Sequence, residues 1–152
     1  FVGMQRALWD PESKVDRGLK RLVAHAASRI ADDPYSMAHT ASGALHFGVA
    51  ADKLTAIRDY RTSDLFDPAE RAALDFAVAA SATPNAVSDT IFAVLHQYWT
   101  EEQIVEIAGV TAMAGFLSRW NVTMATPLEA EPQDIGERHL APHGWSAGAH
   151  RR

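Results

Sequence analysis

Along this chain apolar residues return at intervals of three and four, the spacing that builds one face of an α-helix. Behind Asp67-Pro68-x-Glu70, the residues Ala69, Ala72, Ala73, Phe76, Ala77 and Ala80 hold that spacing until Pro84, which predicts a helix ending by about Ala82. Its opening carries start signals of its own: an N-cap aspartate, a proline at the first helical position and an acid able to reach back to the cap. Thr100-Glu101-Glu102-Gln103 is a second such box and opens the longest helix, roughly 101–125, which Pro127 closes. Ile104, Ile107, Ala108, Thr111, Phe116 and Trp120 are predicted to share one broad face of it. Ser88 opens a shorter helix carrying Ile91, Phe92 and Leu95.

The first half reads the same way. Residues 16–31 predict a helix with Leu19, Leu22, Val23, Ala26 and Ile30 inward, and Asp33-Pro34 starts another that ends at Gly48. Residues 51–60 predict a short amphipathic helix. No alternation of period two survives anywhere, so no strand is expected. The expectation is an all-α bundle of about six helices in a single domain, 1–152. Its tail, 131–152, is expected to be irregular, because Pro132, Gly136, Pro142, Gly144 and Gly148 interrupt it. That tail is expected to wrap over the body or over a neighbour.

Composition narrows the function classes. The 152 residues are 47% hydrophobic and 22% charged, the balance of an ordinary globular protein. The net charge of −5, with no basic cluster beyond Arg151-Arg152, makes nucleic acid an unexpected partner. No apolar run reaches the roughly 18–20 residues of a membrane span, so no membrane partner is expected either. The opening FVGMQRALWD lacks the basic head and apolar stretch of a signal peptide. There is no cysteine, which excludes disulfides, thiolate metal sites and every cysteine-based mechanism, and fits a cytoplasmic protein. His39 and His46 share a helical face and His139 and His143 sit in the tail, but no HExxH-like spacing accompanies them. Neither a metal nor a cofactor is expected.

Several residues carry possible chemistry. Ser36 and His39, three apart, occupy one helical face. His39 reads either as a general acid or base facing a pocket or as a histidine kept for packing. A hydrolase triad of Asp33, Ser36 and His39 is disfavoured, since triads converge from separate segments around an oxyanion hole. His25 lies four residues after Arg21 and reads as a surface or interface histidine, with a place at the border of the same site as the alternative. Tyr35, Phe47, Phe116 and Trp120 supply aromatic surface. At helical spacing such residues serve a core or a subunit interface, or else wall a pocket.

Two stretches resemble a known family. Arg21-Leu-Val-Ala-His-Ala-Ala-Ser28-Arg29, followed by Asp33-Pro-Tyr-Ser36-Met-Ala-His39-Thr40, is similar to a segment of the carboxymuconolactone decarboxylase and alkyl hydroperoxidase D-like proteins. In that segment a glutamate precedes a Cys-x-x-Cys pair by twelve residues and a histidine follows. Ser118-Arg119-Trp120-Asn121 through Pro127-Leu128-Glu129 resembles the end of the long helix in the hydroperoxidase branch, and the Leu140–His150 tail resembles tails there. The resemblance implies that two thiols, a glutamate and a histidine perform redox chemistry in those relatives. Here Arg21 stands in the glutamate's place, Asp33 in that of the first cysteine and Ser36 in that of the second, and His39 remains. A serine hydroxyl forms no disulfide, so that chemistry is barred. The exchanged signs of Arg21 and Asp33 raise three readings of Asp33: a helix cap alone, a cap that also pairs with Arg21, or a catalytic carboxylate.

The decarboxylase branch implies that this fold hosts chemistry on carboxylated lactones without thiols. The expectation is a non-redox enzyme of the lyase or isomerase kind, with a decarboxylase among the candidates, acting on a small carboxylated or lactone substrate. Its predicted catalytic groups are His39, Ser36, Arg21 and Asp33, with Tyr35, His25, Phe116 and Trp120 binding substrate. The rival is a non-catalytic helical oligomer that binds a ligand or partner. A homo-oligomer is expected, built from dimers, and the resemblance implies a trimer or hexamer.

Overall fold

Asp16 starts the central helix by accepting the backbone N–H of Leu19 at 2.9 Å. In the computed structural model, which describes residues 1–151, this helix (α2, Arg17–Ile30) packs against three others. These are α3 (Pro34–His46), α5 (Pro68–Ser81) and α7 (Glu101–Met124). Leu22, Val23, Ala38, Ala41, Ala73, Leu74, Ala77, Ile107 and Val110 form the shared core. Small alanines there let the helix axes approach closely, and the larger side chains interdigitate between them. Ile30, predicted inward, is 38% exposed, because it stands on the last turn of α2 beside the open groove between α2, α5 and α7.

Both predicted capping boxes form. Glu70 N–H donates to Asp67 Oδ1 at 2.8 Å and Asp67 N–H to Glu70 Oε2 at 3.0 Å. Thr100 and Gln103 repeat the reciprocal pattern at the head of α7. The short helix at 51–60 becomes α4 (Ala51–Thr55) followed by a 3₁₀ turn, Ala56–Asp59. α6 spans Asp89–Tyr98. Among the described residues there is no strand, and no helix is long and apolar enough to cross a membrane.

Two elements depart from the sequence reading and raise the α-helix count to eight among the described residues. The first is α1 (Val2–Leu8), which lies against α7. The second is in the tail, which is largely helical rather than irregular. α8 (Ala130–Ile135) runs into a π turn, Gly136–Leu140, and a 3₁₀ turn, Ala141–His143. Pro132 does not break α8 because it sits in the first turn, where its missing N–H would have no intrahelical partner. The tail does wrap over the body. Trp145 is buried and its Nε1 donates to the Pro34 carbonyl at 3.0 Å. Gly136 makes room for it, since a Cβ there would stand 2.5 Å from the indole ring.

Candidate active site

Helices α1, α2, α3 and α7 enclose a cleft of about 300 Å³. One turn of α3 supplies Ser36, His39 and Thr40 to it, with Tyr35 alongside, because positions three and four apart fall on one face. α2 contributes Arg21, Ala24 and Ser28, and α7 contributes Val110, Met113, Ala114, Leu117 and Asn121. Phe1, Gln5 and Trp9, from α1 and the residues flanking it, complete the wall.

His39 is half-exposed at the rim, and its Nε2 lies 2.7 Å from Glu129 Oε2. A carboxylate only accepts, so Nε2 carries the proton, and in the neutral ring Nδ1 is left as the basic nitrogen. Tyr35 O–H donates to the other oxygen of Glu129 at 3.3 Å, and its ring lies 4.4 Å from that of His39. Desolvation acts to raise the Glu129 pKa. Its own backbone N–H, His39 and Tyr35 outweigh that and hold the carboxyl below its ordinary value. The dyad therefore has a charged member that orients the imidazole and stabilises it once protonated.

Arg21 is placed differently. Its guanidinium stacks on the Trp9 ring at 4.1 Å and lies 5.8 Å from the Phe47 ring. Burial lowers its pKa, its Nε has no hydrogen-bond partner, and it makes no ion pair among the described residues. Ser36 Oγ, in contrast, accepts from Asn121 Nδ2 at 3.2 Å, and Asn121 Oδ1 accepts from Thr126 at 3.2 Å. That chain fixes the Asn121 amide and leaves the Ser36 hydroxyl proton available as a donor.

Four predicted site residues stand elsewhere. Asp33 does not pair with Arg21 and does not line the cleft; its Oδ1 caps α3 by accepting Ser36 N–H at 3.1 Å, and Oδ2 is buried without a partner. The helix N-terminus has claimed this carboxylate, while Arg21 has turned to the aromatic rings. His25 is neither a surface residue nor at the cleft. It is 1% exposed, with Nδ1 at 3.1 Å from Met37 O and 3.0 Å from Thr40 Oγ1. Burial, partly offset by the Met37 bond and reinforced by Arg29 and Arg58, lowers its pKa to about 4. Phe116 and Trp120 are 55% and 57% exposed and do not wall the cleft. At 100° per residue Phe116 lies about 180° around the helix from Ile107, so the two cannot share a buried face.

Trp9, Gln5, Asn121 and Glu129 were not among the predicted site residues. Asn121 and Glu129 lie within the Ser118–Glu129 stretch that carries the resemblance, so a signal existed for them. For Trp9 and Gln5 there was none beyond the polarity pattern of a seven-residue helix. Among the described residues no three His, Asp or Glu side chains converge as metal ligands do.

Residues 1–79 match the family model described as "Carboxymuconolactone decarboxylase family", a little over half of the chain. The chain belongs to that family. Over 80 residues it is 34% identical to the uncharacterised protein YnjA of Escherichia coli K12; the match spans 53% of this chain and only 44% of that relative. The crystal structure of the debrominase Bmp8 superposes with a TM-score of 0.82 at 34% identity, covering 89% of this chain and 72% of the other. A cysteine-to-alanine variant of the same debrominase has been solved in complex with 2,3,4-tribromopyrrole, with a TM-score of 0.83. An uncharacterised peroxidase-related protein from Ralstonia eutropha with an alkylhydroperoxidase AhpD core shares the fold, at a TM-score of 0.71 and 22% identity over 80% of this chain and 65% of that one. This member of the family has no cysteine at all.

Proposed function

We propose that this chain is a non-redox enzyme of the lyase or isomerase kind that moves a proton on a small carboxylated or lactone substrate. The observation that carries the reading is the His39–Glu129 hydrogen bond of 2.7 Å at the rim of a cleft that also holds an unpaired cation. Neutral His39 takes a proton through Nδ1, Glu129 stabilises the imidazolium formed, and Ser36 donates to an oxygen that gains charge. Arg21 stabilises an enolate or holds a carboxylate. The bromopyrrole complex of the debrominase supports a small ring compound as the occupant, while the absence of thiols removes any route through cysteine.

A second reading, a non-catalytic oligomer that binds a ligand or partner, is favoured by the exposed Val105, Phe116, Trp120 and Met124 on α7. One experiment separates the two. Carboxylated lactones and aromatic acids that raise the melting temperature are incubated with the chain in D₂O, and exchange of carbon-bound protons is followed by NMR. Exchange above buffer that disappears in His39→Ala and falls in Glu129→Gln is the expected result. Ligands that bind without exchange in any case would leave the binding-protein reading standing in its place.

A further inference from the structure

Among the described residues no carboxylate lines the cleft. Glu129 holds His39 and Tyr35, Asp33 caps α3, and Glu106 is paired with Lys20. Arg21, which lines the cleft, has no acidic partner among the described residues. A cation withdrawn from water and left unpaired is costly, and an aromatic face returns only part of that cost. Yet the surroundings are shaped to keep it there. Gly43 faces it from α3, where a Cβ would stand 2.7 Å from Nε and 2.8 Å from Cδ. The Trp9 ring lies against its other side at 4.1 Å.

Trp9 is itself fixed. Lys20 Nζ donates to Leu8 O at 2.6 Å and Arg17 Nη2 to Trp9 O at 3.1 Å, so two cations of α2 satisfy the last carbonyls of α1. One side of the cleft is apolar, with Ala24 on α2 and Val110, Met113, Ala114 and Leu117 on α7, while Ser36, His39, Thr40 and Asn121 make its other side polar. The volume of about 300 Å³ corresponds to about ten waters in the liquid, room for one small ring with its substituents.

We propose that the occupant of this cleft is a ring-bearing monoanion whose carboxylate sits on the Arg21 guanidinium beside the Trp9 ring. This rests on the same cleft as the proton-transfer reading and narrows its substrate class to cyclic, planar acids. Guanidinium and carboxylate match as two parallel N–H···O bonds, a geometry that a neutral amide cannot reproduce. The ring then lies in the apolar part of the slot.

The test is calorimetric titration of the whole chain with benzoate and with benzamide, its neutral near-isostere. Saturable millimolar binding of benzoate with at least about tenfold weaker binding of benzamide is expected. Equal binding of the two, or no saturation by benzoate, overturns the proposal. That comparison uses the unaltered chain, so it does not depend on any variant folding. Arg21→Gln should lose benzoate by about tenfold or more, and Gly43→Ala should weaken it by displacing the guanidinium. His96→Ala, an exposed histidine on α6 outside the cleft lining, should keep it within about threefold. Benzoate binding that depends on His39 and not on Arg21 would place the anion elsewhere and overturn the seat. Benzoate binding as described, with no proton exchange on any bound acid, would uphold the seat and remove the enzyme reading.

Discussion

Lys20 Nζ, fully buried, stands 2.9 Å from Glu106 Oε2 and so ties α2 to α7. The same ammonium donates to Leu8 O and to the Ser13 hydroxyl, and Ser13 in turn donates to Glu106. Desolvation acts to raise the Glu106 pKa, but Ser13, Lys20 and the Lys14 N–H together hold it at about 2. Because the folded pKa lies below the unfolded one, this stabilisation is complete above about pH 4.5 and fades as pH falls toward 2. Glu106→Gln leaves a buried ammonium without its counter-ion and should cost about 3 kcal/mol or more in urea unfolding at pH 7. The double change Lys20→Met with Glu106→Gln should restore much of the loss, since removing both charges together leaves no uncompensated buried ammonium.

His25 should make the fold sensitive to mild acid. Burial pushes its folded pKa down to about 4, against the ordinary histidine value of 6.5. The unfolded chain therefore binds a proton that the folded chain refuses, and stability falls as pH drops from 6.5 toward 4, levelling off below that. The full effect is about 3 kcal/mol. His25→Gln should flatten this part of the stability–pH curve relative to the unaltered chain. Parallel curves for the two would show that His25 does not govern it.

The chain should form a homo-oligomer. Phe116, Trp120, Val122 and Met124 expose apolar surface along the last turns of α7, and closed symmetry is the common way to bury such a surface. Light scattering at micromolar concentration should return a mass above one chain, and Trp120→Glu should lower it. A monomer at that concentration would count against both the assembly and the binding-oligomer reading.

Hydroperoxide reduction should not exceed the buffer rate. No thiol is present to attack the peroxide, whatever the relatives do. Peroxide consumption is followed with a dithiol donor, and turnover that disappears in His39→Ala would refute the argument.

Much of the fold was legible because helix boundaries are written in local chemistry. Asp16, Asp33, Asp67, Ser88 and Thr100 each accept a backbone N–H at the head of a helix, and each is a residue type that does so in isolated segments. The short α1 escaped because seven residues give barely two turns of periodicity. α8 escaped because proline reads as a breaker unless its position within the turn is known. In the site, the grouping of Ser36, His39 and Tyr35 followed from spacing on one helix.

The sequence by itself determined that this chain is all-helical, belongs to the carboxymuconolactone decarboxylase family and holds no thiol, since capping residues, periodicity and the absence of cysteine are properties of the chain alone. Tertiary structure decided the partners. Asp33 and Arg21 carry opposite charges, yet a helix N-terminus took one and an indole ring the other, because groups brought near by packing compete for each charge. Glu129 came to His39 across 90 residues. His25 and Phe116 exchanged their expected places, one sealed beneath α3 and the other turned outward. Rotation about a helix axis is set by what the neighbouring helices cover, and no spacing within one helix records that.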